Sequence, residues 1–321
     1  WETSKKLDVG VNFGILNDKI TFEAAYYNND IDGLIYDVPQ APSSGLPNAP
    51  SINIGSMYNR GFEFTANAQA VDTKNFSWSP SINFTYNTNE ITSLTADITQ
   101  FTSATSGLET ASISRVGGSL GMIYVARTAG VDPATGRRIF VNAAGTKLYY
   151  DHSASVANRW KLEDGTNAPS GLTSQDQVVY GNSQPKFFGG FINSFRYKAF
   201  DLGLTITYQG GFYIYNGTQA SIMDQRFWNN SVKILERWTT PGQITDVPRA
   251  NDPNALHVSD RYVEDGSYVR LKAVTLGYQF KMESLKLDSV KLYVTGQNLY
   301  TITNYKGFDP EVGAFNNATG I

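Results

Sequence analysis

The sequence predicts an all-β protein, an antiparallel segment of a transmembrane β-barrel with short periplasmic turns and long extracellular loops. Three observations predict it. Apolar and polar residues alternate along successive segments, and in five of them the apolar set carries no charge. The connections between these segments alternate short and long, as in outer-membrane barrels. Tyr (19) and Phe (18) are frequent and charged residues reach only 17%, a composition that favours strands over helices.

Composition excludes several other classes. The formal net charge of −3 argues against a nucleic-acid-binding surface. Without cysteine there is neither a disulfide framework nor a thiolate metal site. No run of about 18 apolar residues occurs, so no transmembrane helix is expected. The first residues lack an apolar signal segment and the last ones lack a closing strand. We therefore expect both ends to be cuts inside a longer protein.

The first part of the chain predicts two hairpins. Their short turns are expected at Asn17-Asp18 and around residues 72–75, and a Pro/Ser/Gly-rich loop over about 38–53 separates them. The alternating segments are residues 7–15, 20–26, 62–70 and 77–87.

The second part predicts two more hairpins. A long region over about 95–185, expected to be irregular, precedes them, and further loops cover about 216–266 and 303–321. The alternating segments are residues 187–197, 202–215, 268–280 and 290–299. The segment 268–280 changes phase in its middle, which predicts a β-bulge without fixing its position.

The apolar faces are expected to contact lipid. A Lys or Arg facing lipid at the bilayer midplane costs roughly 2–4 kcal/mol, whereas one facing a watery lumen costs little. In the strand from Leu202, we expect Leu204 and Ile206 to face lipid and Thr205 and Thr207 to face the lumen. Aromatic residues near both strand ends predict two interfacial girdles. Those near the short turns are Trp78, Tyr197, Phe200 and Phe280, and those near the long loops are Tyr36, Tyr86, Tyr213, Tyr215 and Tyr300.

Ordered motifs along the whole chain resemble the barrel of SusC/RagA-like TonB-dependent transporters. They include Asn59-Arg60-Gly61-Phe62-Glu63, Gly130-Val131-Asp132-Pro133, Pro185-Lys186-Phe187, Ser267-Tyr268-Val269-Arg270 and Asp309-Pro310-Glu311. The resemblance implies that residues 1–321 form the C-terminal portion of a plugged barrel of about 22 strands. It also implies that the plug domain and the first strands lie outside this chain.

The same resemblance implies a function and partners. The protein would be a multi-pass β-barrel of the Gram-negative outer membrane that imports oligosaccharides or oligopeptides. A SusD-like surface lipoprotein would cover the extracellular loops. TonB would act through the N-terminal part that this chain lacks. Two alternatives remain: a passive porin, which would lack the plug and TonB box, and a secreted β-rich carbohydrate-binding domain. The secreted domain does not explain the charge-free apolar faces.

No catalytic residue, metal ligand set or cofactor site is expected, and the chain is not expected to be an enzyme. His152 and His257 are the only histidines and lie far apart in loops. A calcium role for Asp132-Pro133 or Asp309-Pro310 remains an alternative to a plain turn start.

Contacts with substrate or with the lid protein are expected from aromatic side chains in the long loops, since such rings bind sugars and peptides. The competing explanation is that these rings pack the loops onto one another. The candidates are Tyr149, Trp160, Tyr180, Tyr213, Tyr215, Trp228 and Trp238.

Overall fold

A computed structural model describes residues 1–37, 51–95, 98–103, 110–151, 153–225, 229–250, 258–282 and 287–311. Its strands are β1 (Thr3–Ile15), β2 (Ile20–Asp37), β3 (Ser51–Ala68), β4 (Val71–Asp72), β5 (Phe76–Leu94), β6 (Gln100–Ser103), β7 (Ser112–Arg115), β8 (Met122–Val131), β9 (Arg138–Val141), β10 (Lys147–Tyr150), β11 (Trp160–Lys161), β12 (Gln177–Gly181), β13 (Phe187–Tyr197), β14 (Phe200–Gly210), β15 (Tyr213–Tyr215), β16 (Val263–Asp265), β17 (Tyr268–Met282) and β18 (Leu287–Thr303). The helix α1 spans Gly217–Ile222, and 3-10 turns cover Val156–Asn158, Ser174–Asp176, Val232–Glu236 and Asp260–Tyr262. Within these ranges, no helix has the length and apolar character needed to cross a membrane.

The long strands form one sheet, here called the wall sheet. Its order is β1-β2-β3-β5-β13-β14-β17-β18, with the short β4 paired to β5. Every neighbouring pair is antiparallel. This architecture confirms the predicted fold class.

The register joins the apolar sides of all eight long strands into one continuous face. One row across the sheet consists of Phe13, Phe22, Ala66, Ile82, Phe191, Ile206, Leu271 and Tyr300. The neighbouring row, on the opposite face, consists of Asn12, Glu23, Thr65, Asn83, Gly190, Thr207, Arg270 and Thr301. Since side chains alternate along each strand, the wall sheet has one apolar face and one polar face.

The rows are staggered along the strands. Phe13 lies two residues before the end of β1 at Ile15, whereas Tyr300 lies 13 residues after the start of β18 at Leu287. Four residues separate β1 from β2, and four separate β17 from β18, so both of these strand ends lie at short connections. The register therefore shifts in one direction from strand to strand. Tilted strands need such a shift in order to close into a barrel.

Aromatic residues mark two heights on the apolar face. Phe76 pairs with Tyr197, and Tyr86 pairs with Phe187. The two pairs are ten residue steps apart, which is about 33 Å along a strand at about 3.3 Å per residue. With a tilt of about 40° this gives about 25 Å, the height of the apolar band of outer-membrane barrels.

The predicted girdle residues are mostly on the apolar face, with Tyr213 and Tyr215 as exceptions, since both lie on β15, outside the wall sheet. Tyr197, Phe200 and Tyr86 are 55%, 50% and 46% exposed on it. Tyr215 is only 1% exposed, so its assignment to a girdle is wrong: the ring packs edge-on against Tyr262, with centroids 6.5 Å apart. The side chain of Tyr36 lies outside the described residues.

The predicted bulge in β17 lies at Lys272. Thr205 and Ile206 of β14 pair with Ala273 and Leu271, which leaves Lys272 without an opposite residue. On the other side, Asn298 and Leu299 of β18 face this same position. Asn298 has a φ of 51°, a left-handed conformation that asparagine tolerates better than most residues. The bulge returns Val274 and the following apolar residues to the apolar face.

The short turns differ slightly from prediction. Ile15 pairs directly with Ile20, so the first turn has four residues rather than the expected two. In it Leu16, Asn17 and Asp18 all have positive φ. Lys198 and Ala199 form a two-residue turn between Tyr197 and Phe200.

The region 95–185 is not irregular as expected. It contains a seven-stranded sheet with β11-β10-β9-β8-β7-β6 in order and β12 paired to β8. We call this sheet, together with β15, β16, α1 and the segments that join them, the loop body. Its main buried cluster draws on both long connections and consists of Ala111, Ile123, Val125, Tyr215, Ala220, Met223, Val247 and Tyr262.

Candidate functional site

The polar face of the wall sheet includes side chains that are fixed by close backbone packing. Tyr27 crosses Gly61, where an added Cβ would lie 2.5 Å from the tyrosine hydroxyl oxygen. The hydroxyl donates to Asn87 Oδ1 at 2.7 Å. A glycine is needed here because any larger residue would push the ring off the wall. Contacts among its own residues therefore fix the side chains of the polar face around Gly61.

A charge cluster lies on the polar face near the long connections. Arg270, only 3% exposed in its side chain, pairs with Asp309 and with Glu311. The Arg270 Nη1–Glu311 Oε2 distance is 2.6 Å, and Nε donates to Thr301 Oγ1 at 3.0 Å. Lys272 Nζ also reaches Glu311 at 2.9 Å. A buried guanidinium needs such partners because desolvation would otherwise be costly.

The segment after β18 is thereby anchored to both parts of the molecule. Tyr305 is buried against Phe212 and Ile214, and the Lys306 backbone N–H donates to Glu264 Oε2 at 2.6 Å. Burial, together with the nearby Glu264 carboxylate, raises the pKa of Tyr305 to about 12. The segment links the wall sheet to the loop body.

A second charge cluster joins the two long connections inside the loop body. The Asp151 carboxylate pairs with Arg137 and accepts from Arg249 Nη2 at 2.9 Å. Burial alone would raise the pKa of Asp151. Hydrogen bonds from Ser153 and the two guanidinium groups outweigh that effect and hold the pKa below its ordinary value.

Three of the candidate aromatic residues pack the interior of the loop body. Tyr149 and Tyr215 are 7% and 1% exposed. Trp160 packs edge-on against Phe140 and Tyr150, with ring centroids 5.7 and 5.0 Å apart. These three side chains pack within the loop body and stabilise its fold.

Trp238 also has a structural role. Its indole N–H donates to the Pro133 carbonyl at 2.8 Å. Its ring lies on Gly136, where an added Cβ would be 2.5 Å from ring atoms. Gly136 has a φ of 69°, so glycine satisfies both the backbone conformation and the close approach. Trp238 thus holds the long connection over about 216–266 against the turn at Pro133 and Gly136 in the other long connection.

Tyr180 and Tyr213 form the exposed aromatic pair among the candidates. Their rings meet edge-on with centroids 5.0 Å apart. They are 44% and 37% exposed. The Tyr213 backbone N–H donates to the Asn182 carbonyl at 2.8 Å, which fixes the pair where β12 approaches β15. Burial, followed by the neighbouring Tyr213 and Asp260, raises the pKa of Tyr180.

The remaining predicted positions are placed as follows. Trp228, His152 and His257 lie outside the described residues. The Asp132 carboxylate accepts from the Ala134 N–H at 3.0 Å and from the Thr135 hydroxyl, and Asp309 is paired with Arg270. Among the residues that the structure describes, no group of three or more His, Cys, Asp or Glu is arranged to hold a metal ion.

Sequence reasoning missed the Arg270 cluster. Asp309 and Glu311 follow Arg270 by 39 and 41 residues in the chain. No local sequence pattern joins residues so far apart. The available signal was that Ser267-Tyr268-Val269-Arg270 and Asp309-Pro310-Glu311 are both motifs of the resemblance.

Comparison with known families gives one match over most of the chain. Residues 1–299 match the family described as "TonB dependent receptor-like, beta-barrel".

Curated relatives match over almost the whole chain but only over part of their own length. TonB-dependent receptor P3 of Formosa agariphila is 31% identical over 317 residues, which is 97% of this chain and 31% of the relative. TonB-dependent receptor SusC of Bacteroides thetaiotaomicron is 25% identical over 328 residues, 97% of this chain and 30% of the relative. The chain therefore spans about a third of the length of these relatives.

A solved structure has the same fold. The structure of the RagAB peptide transporter contains a chain that superimposes with a TM-score of 0.80 at 24% identity, over 98% of this chain and 33% of that one.

Proposed function

The chain belongs to the family of TonB-dependent receptor-like β-barrels, and from that premise we propose that it forms the C-terminal part of the barrel of a nutrient importer. The family places it in the outer membrane as a multi-pass β-barrel segment. The observation that carries the proposal is the pair of continuous faces on the wall sheet. The apolar face suits lipid, and the polar face suits a watery interior through which a hydrophilic solute can pass.

We further propose that the cargo is an oligosaccharide or an oligopeptide. Both classes present hydroxyl or amide groups and flat apolar surfaces that aromatic rings bind. The Tyr180–Tyr213 pair offers such a surface beside the long connections. RagAB is described as a peptide transporter, and its resemblance to this chain supports the fold only.

The proposed partners follow from the family. A SusD-like surface lipoprotein would cover the loop body, and TonB would act through a segment outside this chain. Membership in a receptor family also supports the prediction that the chain is not an enzyme. The outer-membrane location leaves the secreted carbohydrate-binding domain without support.

Energy coupling is the decisive test of import. Uptake of a labelled oligosaccharide pool and a labelled tryptic peptide pool is measured in cells that carry the full-length protein, with and without a protonophore. We expect uptake of one pool, and its loss when the proton-motive force collapses. Undiminished uptake after collapse would instead identify a passive porin.

The tyrosine pair can be tested separately. Tyr180→Ala should lower uptake several-fold while the amount of folded barrel is unchanged. The matched control is Tyr278→Ala, which removes a similarly exposed ring (42% against 44%) from the apolar face near the short turns. Equal uptake by the two variants would exclude Tyr180 as a ligand contact.

A further inference from the structure

Arginine side chains from the two long connections meet inside the loop body. The first connection supplies Arg137 and Arg138, and the second supplies Arg249 and Arg261. Arg137 and Arg249 share the Asp151 carboxylate. Within the part of the chain that the structure describes, Arg138 and Arg261 have no shared carboxylate of this kind. Because a guanidinium stays protonated in proteins, their two positive charges need another partner.

Arg138 is buried without a polar partner. The residue is 3% exposed, and its Nε and Nη2 atoms have no hydrogen-bond partner among the described residues. It also forms no ion pair with any of them. The guanidinium carbon instead lies 5.9 Å from the centre of the Phe140 ring. A ring face offsets only part of the cost of burying a charge.

Arg261, on the 3-10 turn Asp260–Tyr262, is only partly compensated. Its side chain is 12% exposed, and its Nε atom has no hydrogen-bond partner in the described ranges. Its Nη2 atom lies 3.6 Å from Asp246 Oδ2, on a side chain that is 75% exposed. A carboxylate so well hydrated compensates little of the charge. Burial lowers the pKa of Arg261, and the charge of Arg138 lowers it further, so the two guanidinium groups repel each other.

The two unpartnered nitrogens of Arg138 lie on one edge of its guanidinium. Along this edge the N–H bonds of Nε and Nη2 run parallel, which matches two oxygens of a carboxylate, sulfate or phosphate group. The Nε atom of Arg261 is a further donor of the same kind. Water would accept these hydrogen bonds without offsetting the positive charges. The chemistry of the donors therefore favours an anion.

We propose that Arg138 and Arg261 bind one small oxyanion, which is a sulfate, a phosphate or a small carboxylate. The ion must be small because only 3% of Arg138 is exposed. Arg138 contacts Phe140 of one buried cluster, and Arg261 contacts Tyr262 of the other. The bound anion thus holds the two long connections together between their two buried clusters. The inference depends neither on transport nor on the identity of the cargo.

Hydrogen exchange of the full-length protein in detergent tests the site. Sodium sulfate, phosphate and acetate are each titrated to about 20 mM at constant ionic strength with sodium chloride, below the range in which sulfate stabilises proteins by exclusion. At least one oxyanion should slow exchange in residues 138–141 and 258–263 by about threefold, the value expected at twice its dissociation constant. The effect should saturate and should spare β13 of the wall sheet. The proposal is overturned if no oxyanion acts beyond chloride, or if the wall sheet responds equally.

Arg138→Met decides whether the partner of Arg138 is a bound anion or a carboxylate of the protein itself. In chloride alone, removal of an uncompensated buried charge should leave exchange unchanged or slower, and the response to the oxyanion should disappear. If a carboxylate of the protein already paired with Arg138, the same substitution would strand that carboxylate and speed exchange. Faster exchange in chloride, or a retained response, would therefore refute the site.

Arg137→Met is the matched control, one residue away. Arg137 already pairs with Asp151, so its removal should speed exchange in chloride and leave the response to the oxyanion in place. Arg261→Met tests the other half of the site and should weaken the response. Variants are compared only when they keep the heat-resistant gel mobility of a folded barrel. An oxyanion response in Arg261→Met equal to that of the native protein would exclude the proposed pair, as would loss of the response in Arg137→Met.

Discussion

The wall sheet and the loop body bury their apolar residues in opposite ways. On the wall sheet, Val9 and Leu276 are 58% and 47% exposed. In the loop body, Val125 and Ile123 are 0% and 2% exposed. The difference follows from the surrounding medium. Apolar side chains of the wall face lipid and need no cover, whereas those of the loop body must be shielded from water by other residues.

The two regions meet at contacts that can be changed one at a time, which makes the comparison testable. Arg270 belongs to the wall sheet and holds the segment that contacts Glu264 of the loop body. Changes on the apolar face should affect barrel assembly, while changes inside the loop body should leave assembly intact and loosen the connections.

The largest effect is expected for a charge on the apolar face. Ile206→Arg should reduce the folded barrel strongly, because a lipid-facing Arg costs roughly 2–4 kcal/mol. Thr205→Arg, on the polar face of the same strand, should be tolerated. The heat-dependent shift in gel mobility measures both variants. Equal loss in the two would mean that the faces are assigned the wrong way round.

The next largest effect is expected in the loop body alone, with the wall sheet unchanged. Gly136→Ala should loosen the loop body by about 1–3 kcal/mol of overpacking against Trp238, added to about 1–2 kcal/mol for the left-handed backbone. Hydrogen exchange around residue 136 should rise while the barrel still folds.

Gly145→Ala is the control for the backbone term. Gly145 also has a positive φ, of 84°, but an added Cβ would meet no atom within 4 Å. Gly145→Ala should therefore destabilise the loop body only by the smaller cost of the left-handed backbone. If Gly145→Ala loosens the loop body as much as Gly136→Ala does, the Trp238 contact contributes nothing.

A smaller effect is expected at the junction of the two regions. Arg270→Ala should weaken the anchoring of residues 303–311 by about 1–2 kcal/mol, since the freed carboxylates are partly exposed and can hydrate. Trypsin should then cut after the exposed Lys306 about five- to thirtyfold faster. Lys272→Ala, which removes a more exposed partner of Glu311, should change the rate less. An unchanged rate in Arg270→Ala would show that the segment is held elsewhere.

The smallest effect concerns pH. The pKa of Asp151 is held below its ordinary value of 3.8 in the folded loop body. Its contribution to stability is therefore complete above that value and is lost as pH falls through the lowered pKa. Hydrogen exchange in residues 137–151, corrected for intrinsic rates, should be slower in the native protein than in Asp151→Asn at neutral pH. The difference between the two proteins should shrink as the pH falls below 3.8; a difference that stays constant as the pH falls would contradict the assignment.

The site was predicted less completely than the fold. Of the seven aromatic candidates, Tyr180 and Tyr213 are exposed as a pair, while Tyr149, Trp160 and Tyr215 pack the interior of the loop body. The sequence could not separate these groups, because an aromatic ring in a long connection has the same local pattern whether it binds a ligand or fills a core.

By itself the sequence determined the strands of the wall, their faces and the positions of the short and long connections. Lipid on one side and water on the other impose a strict period of two, and that period is local. Only the tertiary structure decided the position of the bulge at Lys272, the order within the loop body and the meeting of Arg270 with Asp309 and Glu311. Those features depend on which distant residues come together, and no short stretch of sequence contains that information.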